Sequence, residues 1–148
     1  MRIIQFILLA ILAIAPGATF AADGGSTRVR ALLVIASNEK GQSDARLSAY
    51  EPNLRGILRF ESYRLAGEGT TSVASPGKGS LNLGQGHSLT LENQKSNGGG
   101  IRLQVNWQAN GRSFMNTALV LRPGVPAVLG GPASGKAGEV WAVIVIAE

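Results

Sequence analysis

Alternation of apolar and polar residues restricts the fold of this 148-residue chain more than any other feature. In residues 101–108 polar side chains alternate with an apolar set, Ile101, Leu103, Val105 and Trp107. Successive side chains of a β-strand point to opposite faces, so this period of two predicts a half-buried strand. Asn110-Gly111 follows it and favours a tight hairpin turn into a strand over residues 113–121.

Other segments have the same character. A leucine pair on each side of the turn Gly84-Gln85-Gly86 predicts a second hairpin, the leucines being Leu81, Leu83, Leu89 and Leu91. Residues 59–65 are a further strand candidate. Residues 31–36 and 140–147 are continuously apolar, which is typical of strands buried on both faces. We therefore expect these two segments, near the start and end of the domain, to lie centrally in a sheet.

The one helical signal lies in residues 44–58. Apolar residues there fall three and four apart, as on one helix face, namely Leu47, Tyr50, Leu54, Ile57 and Leu58. Ser43 or Asp44 is a suitable N-cap. Pro52 removes a hydrogen bond, which favours a kink or two short helices over one straight helix.

These signals predict a mainly β domain, β-sandwich-like or α+β, with antiparallel strands and one short helical segment. The helical segment would cover one side of the sheet that holds the apolar strands, and the alternating strands would form the other layer. Residues 93–100 are predicted to form a loop. The domain organisation expected is a signal peptide, residues 1–21, and a single β-rich domain, residues 22–148.

The first 22 residues predict export. Arg2 precedes an almost uninterrupted apolar run in residues 3–14, and Pro16-Gly17 ends it before small residues at Ala21-Ala22. This order is that of a cleavable signal peptide, with cleavage near Ala21. The run is shorter than the roughly 20 residues that span a bilayer, so no transmembrane span is expected after cleavage. The expected location is periplasmic or secreted.

Composition narrows the chemistry further. The chain has no cysteine, which excludes disulfides, thiolate catalysis and lipid attachment at a cysteine. Its net charge of +5 is modest and unclustered. Because the excess is basic, the partners expected are an anionic envelope polymer or envelope proteins. Nucleic acid is a poor partner for an exported protein. The oligomeric state is left open.

Three short motifs resemble catalytic or nucleotide-binding patterns and fail in context. Residues 130–137 have the spacing of a phosphate-binding loop, but Ala137 replaces the hydroxyl that binds magnesium and no helix follows, so we expect a strand-connecting loop. His87-Ser88 lies in a pattern like a nucleophile elbow, yet adjacent strand residues point to opposite faces. Two Ser-x-x-Lys matches, at Ser37 and Ser75, lack the helix this chemistry needs.

The remaining polar and aromatic residues give no catalytic set. Nothing in the sequence brings Glu61 and Glu68 together, and a single histidine with scattered acids is poor material for a metal site. Trp107 and Trp141 are interpreted as core residues. The polar face of residues 101–108, formed by Arg102, Gln104, Asn106 and Gln108, is interpreted as a solvated face, with contact to a polymer or protein as the alternative. We predict no catalytic, cofactor-binding or metal-binding residues and no cofactor.

Two partial resemblances add to this. Residues 117–131 resemble a strand–turn–strand segment of secretins, the outer-membrane channels of bacterial secretion systems, in a strand led by Thr117, a turn at Gly124 and the pair Gly130-Gly131. Pro132 departs from the aliphatic residue expected next, and the resemblance implies a local β-hairpin. The order of Asp44, Leu47, Leu54 and residues 60–63 and 81–84 is similar to small uncharacterised exported proteins of Gram-negative bacteria, which implies a compartment but no activity.

The function expected is that of an exported, non-enzymatic accessory or binding domain of the bacterial cell envelope. One version of this role is membership of a secretion assembly. The alternative is a small periplasmic enzyme that acts on an envelope polymer through two carboxylates assembled by the fold.

Overall fold

The computed structural model describes residues 26–74, 77–94 and 100–148. They form one α-helix, α1 (Glu51–Ile57), a preceding 3-10 turn (Ala45–Leu47) and eight strands. The strands are β1 (Thr27–Ser37), β2 (Ser62–Val73), β3 (Gly77–Gly84), β4 (His87–Gln94), β5 (Ile101–Ala109), β6 (Arg112–Leu121), β7 (Ala127–Ala133) and β8 (Glu139–Ala147). The predicted signal peptide, residues 1–21, lies outside the described residues.

Two antiparallel sheets face each other. Sheet A has the strand order β2-β1-β8-β7, and sheet B has the order β3-β4-β5-β6. Their inner faces share one apolar core, to which sheet A contributes Leu33 and Val143 and sheet B contributes Leu91 and Val105. The expected antiparallel, sandwich-like and mainly β fold is confirmed.

Sheet A is covered on its other face as well. The alternate residues of β1 and β8, such as Leu32 and Ile144, form a second apolar cluster with Leu47 and Leu54 from the helical segment. β1 and β8 are neighbours in the middle of the sheet. The sequence prediction for residues 31–36 and 140–147 is therefore confirmed, because each strand needs apolar side chains for both of its faces.

The helical segment forms two short pieces, as Pro52 predicts. The proline occupies the first turn of α1, where its missing N–H costs no hydrogen bond. Glu51 in the first turn and Arg55 in the last form an ion pair at 2.7 Å, in the orientation that the helix dipole favours. Leu54 is buried as expected. The prediction that Ile57 lies on the buried face is wrong. Ile57 is the last residue of α1, and it is 59 % exposed.

The sheets meet most closely where β2 passes β3. A Cβ atom placed on Gly67 would lie 1.7 Å from the carbonyl oxygen of Leu83, so this approach requires glycine. Gly69 faces the carbonyl of Asn82 in the same way, at 3.1 Å. On the opposite side of the sandwich, β6 and β7 approach each other at fewer positions than β2 and β3 do.

Three local predictions need correction. Asn93 and Gln94, expected in a loop over residues 93–100, are part of β4 and pair with β5, and Asn93 is buried; residues 95–99 lie outside the described residues. Residues 130–133, expected in a connecting loop, are the end of β7. Residues 117–131 have the order strand–turn–strand, but β6 and β7 belong to different sheets, so they form no hairpin.

Within the described residues, no helix has the length and apolar character needed to cross a membrane.

Candidate binding site at the His87 end of the sandwich

His87 is the first residue of β4 and lies at one end of the sandwich. The three preceding residues all have positive φ angles: 80° for Gly84, 55° for Gln85 and 78° for Gly86. This tight turn reverses the chain so that the imidazole points between the sheets, where only 4 % of the residue is exposed. Ser88 points the other way, with its hydroxyl 3.5 Å from Oε1 of Gln108. The predicted opposite orientation of His87 and Ser88 is confirmed.

A hydrogen bond fixes the protonation state of His87. The indole Nε1–H of Trp107 donates to Nδ1 of the imidazole at 3.0 Å. Because an accepting Nδ1 carries no proton, the neutral ring holds its proton on Nε2. Burial lowers the pKa of His87, which favours this neutral form. The side chain is therefore a hydrogen-bond donor through Nε2.

That Nε2 donor remains available. In the described residues no hydrogen-bond partner contacts Nε2. A fully buried Nε2 would then be an unsatisfied polar atom, and the described residues contain no fully buried side-chain nitrogen or oxygen without a partner. The Nε2 atom therefore keeps contact with solvent.

Three aromatic side chains, from three other strands, cluster with this imidazole. Its centroid lies 4.5 Å from that of Trp141 in sheet A and 5.8 Å from that of Trp107 in sheet B. Phe114 packs edge-on against Trp107 at 5.5 Å. Gly131 allows the Trp107 ring to reach sheet A, since a Cβ atom there would lie 2.2 Å from the ring. The cluster thus joins the two sheets at this end.

A recess of about 390 Å³ opens beside these rings, and we call it the His87 recess. Its walls are aromatic and aliphatic, and its rim is polar; the lining is His87, Ala109, Asn110, Arg112, Ser113, Phe114, Pro132, Ala133, Ser134 and Trp141. This volume lies within the range of small-molecule sites, about 300–1,000 Å³.

The rim is held in place by turn contacts. The backbone N–H of Asn110 donates to the carbonyl of Gly86 at 2.8 Å, which fixes the two hairpin turns against each other. The Ser134 hydroxyl donates to Oε1 of Glu139 at 3.0 Å. Arg112 takes part in no ion pair among the described residues, so its guanidinium is available to an anionic group.

A second recess, of about 380 Å³, lies on the other side of His87 and opens onto sheet B. It belongs to what we call the outer face, the solvent side of sheet B. Ala118 and Val120 of β6 are apolar residues on this face, and its polar residues are Lys78, Ser80, Asn82, Ser88, Thr90, Glu92, Arg102, Gln104, Asn106, Gln108 and Asn116. Side chains bond across strands there, as Ser113 does to Asn106 at 2.8 Å. A third, shallower recess of about 150 Å³ on this face includes Glu92.

The structure separates the other residues singled out in the sequence. Glu68 pairs with Arg30 at 3.2 Å, and Glu61 precedes the start of the same extended strand, about 20 Å away at strand spacing. Lys136 of the phosphate-loop-like motif pairs with Glu39 at 3.2 Å. No three acidic or histidine side chains of the described residues converge as metal ligands.

Sequence reasoning missed the His87 recess. Trp107 is fully buried, as predicted, and Trp141 packs against the core as predicted but is only partly buried and also lines the recess. The sequence pattern assigned no functional role to Arg112 or Phe114. The available signal was the pair of glycine-rich turns, at residues 84–86 and 110–111, that begin the strands lining this end.

Comparison with protein-family models, with curated proteins and with solved structures finds no match for this chain.

Proposed function

We propose that this protein is an exported, non-enzymatic accessory or binding domain of the bacterial cell envelope, and that it binds its ligand in the His87 recess. The observation that carries the proposal is the recess itself: its lining brings together aromatic rings, the imidazole of His87 and the guanidinium of Arg112, which joins no ion pair among the described residues. Export is supported by the sequence of residues 1–22.

The chemistry of the recess selects the class of ligand. The rings of Phe114 and Trp141 suit the apolar face of a sugar or another flat ring. Nε2–H of His87 and the guanidinium of Arg112 donate hydrogen bonds, so they favour acceptor groups, above all a carboxylate. A sugar acid unit of an anionic envelope polymer combines these properties.

The non-enzymatic part of the proposal rests on the same lining. General acid–base catalysis needs two titrating groups with separated pKa values in one cleft. The His87 recess is lined by one histidine and no carboxylate, and Nδ1 of that histidine is occupied by Trp107. Of the three recesses described above, only the shallow one on the outer face includes a carboxylate, Glu92.

The test uses the intrinsic fluorescence of the protein, because its two tryptophans both belong to the aromatic cluster. A disaccharide that contains glucuronic acid and its neutral glucose counterpart are titrated against the purified protein. We expect a saturable fluorescence change and at least tenfold tighter binding of the acidic sugar. Arg112→Gln should remove this preference, and Arg102→Gln on the outer face is the matched control.

Two results would contradict ligand binding at the recess: no saturable change with either sugar, or equal losses in both variants. The accessory role has its own test, purification of the tagged protein from crosslinked native cells. Recovery with a defined envelope complex is expected. If the protein is recovered alone and monomeric even after crosslinking, the assembly part of the proposal is wrong.

A further inference from the structure

The two sheets have four edge strands, β2 and β7 in sheet A and β3 and β6 in sheet B. An edge strand exposes a row of unpaired backbone N–H and C=O groups, which another strand can join. Proteins usually protect such edges with close neighbours, charges, prolines or irregular pairing. The four edges of this sandwich differ in that protection.

Strands β2 and β3 protect each other. Their backbones approach so closely at Gly67 and Leu83 that no Cβ atom fits between them. Gly79 of β3 lies less close to β2, with 3.1 Å between an added Cβ atom and the side-chain Cγ2 of Val73. A further strand has no access along this side of the sandwich.

Strand β7 is protected by its own irregularity. It is seven residues long, and its pairing with β8 shifts register between Gly130 and Ala133. Pro132 lies within that shift and has no N–H to donate. Leu58, just after α1, lies over Gly130. This edge offers too few regular backbone groups for strand addition.

Over most of its length, strand β6 has no charged residue, no proline and no irregular pairing to protect its edge. After an irregularity near Phe114, it pairs regularly with β5 from Met115 to Leu121. No charged residue, proline or glycine occurs in residues 113–121. The side chain of Val120 is 68 % exposed, the highest value among the exposed large apolar residues of the described chain. A long, uncharged and regular edge is the form that strand addition uses.

We propose that β6 is a docking edge for an extended segment of a partner protein, which pairs with it as a fifth strand of sheet B. Charge defines the partner further. Arg112 and Arg122 bracket the uncharged edge, and neither joins an ion pair among the described residues. The partner segment therefore has an uncharged, partly apolar centre and an acidic residue at each end, about ten residues apart at strand spacing.

A second copy of the chain is a poorer occupant for the same reason. Antiparallel pairing of two β6 strands about their centre places Arg112 of one copy beside Arg122 of the other. Like charges directly opposite each other destabilise a strand pair. The start of β6, including Arg112, also lines the His87 recess, whereas the regular part of the edge, from Met115 to Leu121, lies outside it.

The experiment uses an eleven-residue peptide of alternating threonine and valine with a glutamate at each end, and its lysine-ended counterpart. Each is added to the ¹⁵N-labelled protein, and amide shifts and hydrogen exchange are measured strand by strand. We expect the glutamate-ended peptide to slow exchange of β6 amides at least fivefold and to bind at least tenfold more tightly than the lysine-ended one.

Charge variants make the test specific. The double variant Arg112→Glu and Arg122→Glu should reverse the peptide preference, whereas Arg59→Glu, an exposed arginine beyond α1, should leave it unchanged. Equal binding of the two peptides, protection at β2, β3 or β7, or β6 protection that grows with protein concentration in the absence of peptide would each overturn the proposal; the last would assign the edge to a second copy.

Discussion

Sheet A is covered on both faces, whereas sheet B is covered on one and open to solvent on the other. In sheet A the central strands β1 and β8 place side chains in both apolar clusters. In sheet B the outer face is mostly polar, and β6 is one of its two edge strands. From this difference we expect substitutions in the doubly covered sheet A to cost more stability than substitutions on the solvent side of sheet B, where the proposed docking edge lies.

The largest expected effect breaks the covered sheet. Ile144→Ala removes a fully buried side chain between sheet A and the helical segment. We expect a loss of about 2–5 kcal/mol in the free energy of unfolding, from lost burial and the remaining cavity. Val120→Ala, on the exposed edge of sheet B, is the matched control and should change stability by less than about 0.5 kcal/mol. Urea unfolding of both variants measures the difference, and similar losses would refute this expectation.

The contact between the sheets gives the next effect. Gly67→Ala would force a methyl group against the Leu83 carbonyl, so we expect a loss near the upper end of overpacking effects, about 3 kcal/mol. Gly56→Ala is the control, because its Cβ position is open and alanine favours the helix; it should stabilise by up to about 1 kcal/mol. Calorimetry of the two variants should show shifts of opposite sign, and a stable Gly67→Ala variant would contradict the close approach.

A smaller effect concerns pH at the His87 end. Burial lowers the pKa of His87 in the folded protein, so between that pKa and the unfolded value of about 6.5 the unfolded state binds more protons. This contribution to stability is complete above about pH 6.5 and is lost as the pH falls through the folded pKa, with a slope of at most about 1.4 kcal/mol per pH unit.

Unfolding free energies of the wild type and His87→Gln at pH 7.5 and pH 5.5 test this linkage. The variant should lose less stability than the wild type over that interval, since glutamine does not titrate. A pH dependence that is identical in the two proteins would show that His87 is not held neutral by the fold.

The smallest effect is expected on the outer face. Asn106 accepts a hydrogen bond from Ser113 but lies in contact with solvent. Asn106→Ala should therefore change the free energy of unfolding by less than about 0.5 kcal/mol. Chemical denaturation measures the free energy of unfolding of this variant. A loss above about 1 kcal/mol would show that the polar side-chain network of the outer face contributes to stability.

Much of this fold was predictable because the spacing of apolar residues along the sequence indicates which faces of a strand or helix are buried. The continuous apolar character of residues 140–147 predicted a strand covered on both faces, and Pro52 predicted the divided helix; both are confirmed. The end of β7 was missed because Gly130, Gly131 and Pro132 favour a loop locally, whereas pairing with β8 and contact with Trp107 hold them extended.

The His87 recess could not be predicted from local pattern. His87, Arg112 and Trp141 are far apart in the sequence, and only the strand order brings the ends of β4, β6 and β8 together. Trp141 lies in an apolar run, so the sequence contained no sign that its ring also lines a recess. Sites built from the ends of several strands depend on tertiary arrangement, which spacing along the chain does not encode.

The difference between the two layers is tested most directly by site-specific photocrosslinking in native cells. Val120 on the β6 edge and Ile57 at the end of α1 are both large, exposed apolar residues, at 68 % and 59 % exposure, on opposite layers of the molecule. A photoreactive residue at position 120 is expected to crosslink to an envelope protein, and the same residue at position 57 is expected to give none. Crosslinks from position 57 alone would contradict the account, because they would place recognition on the helical cover of sheet A.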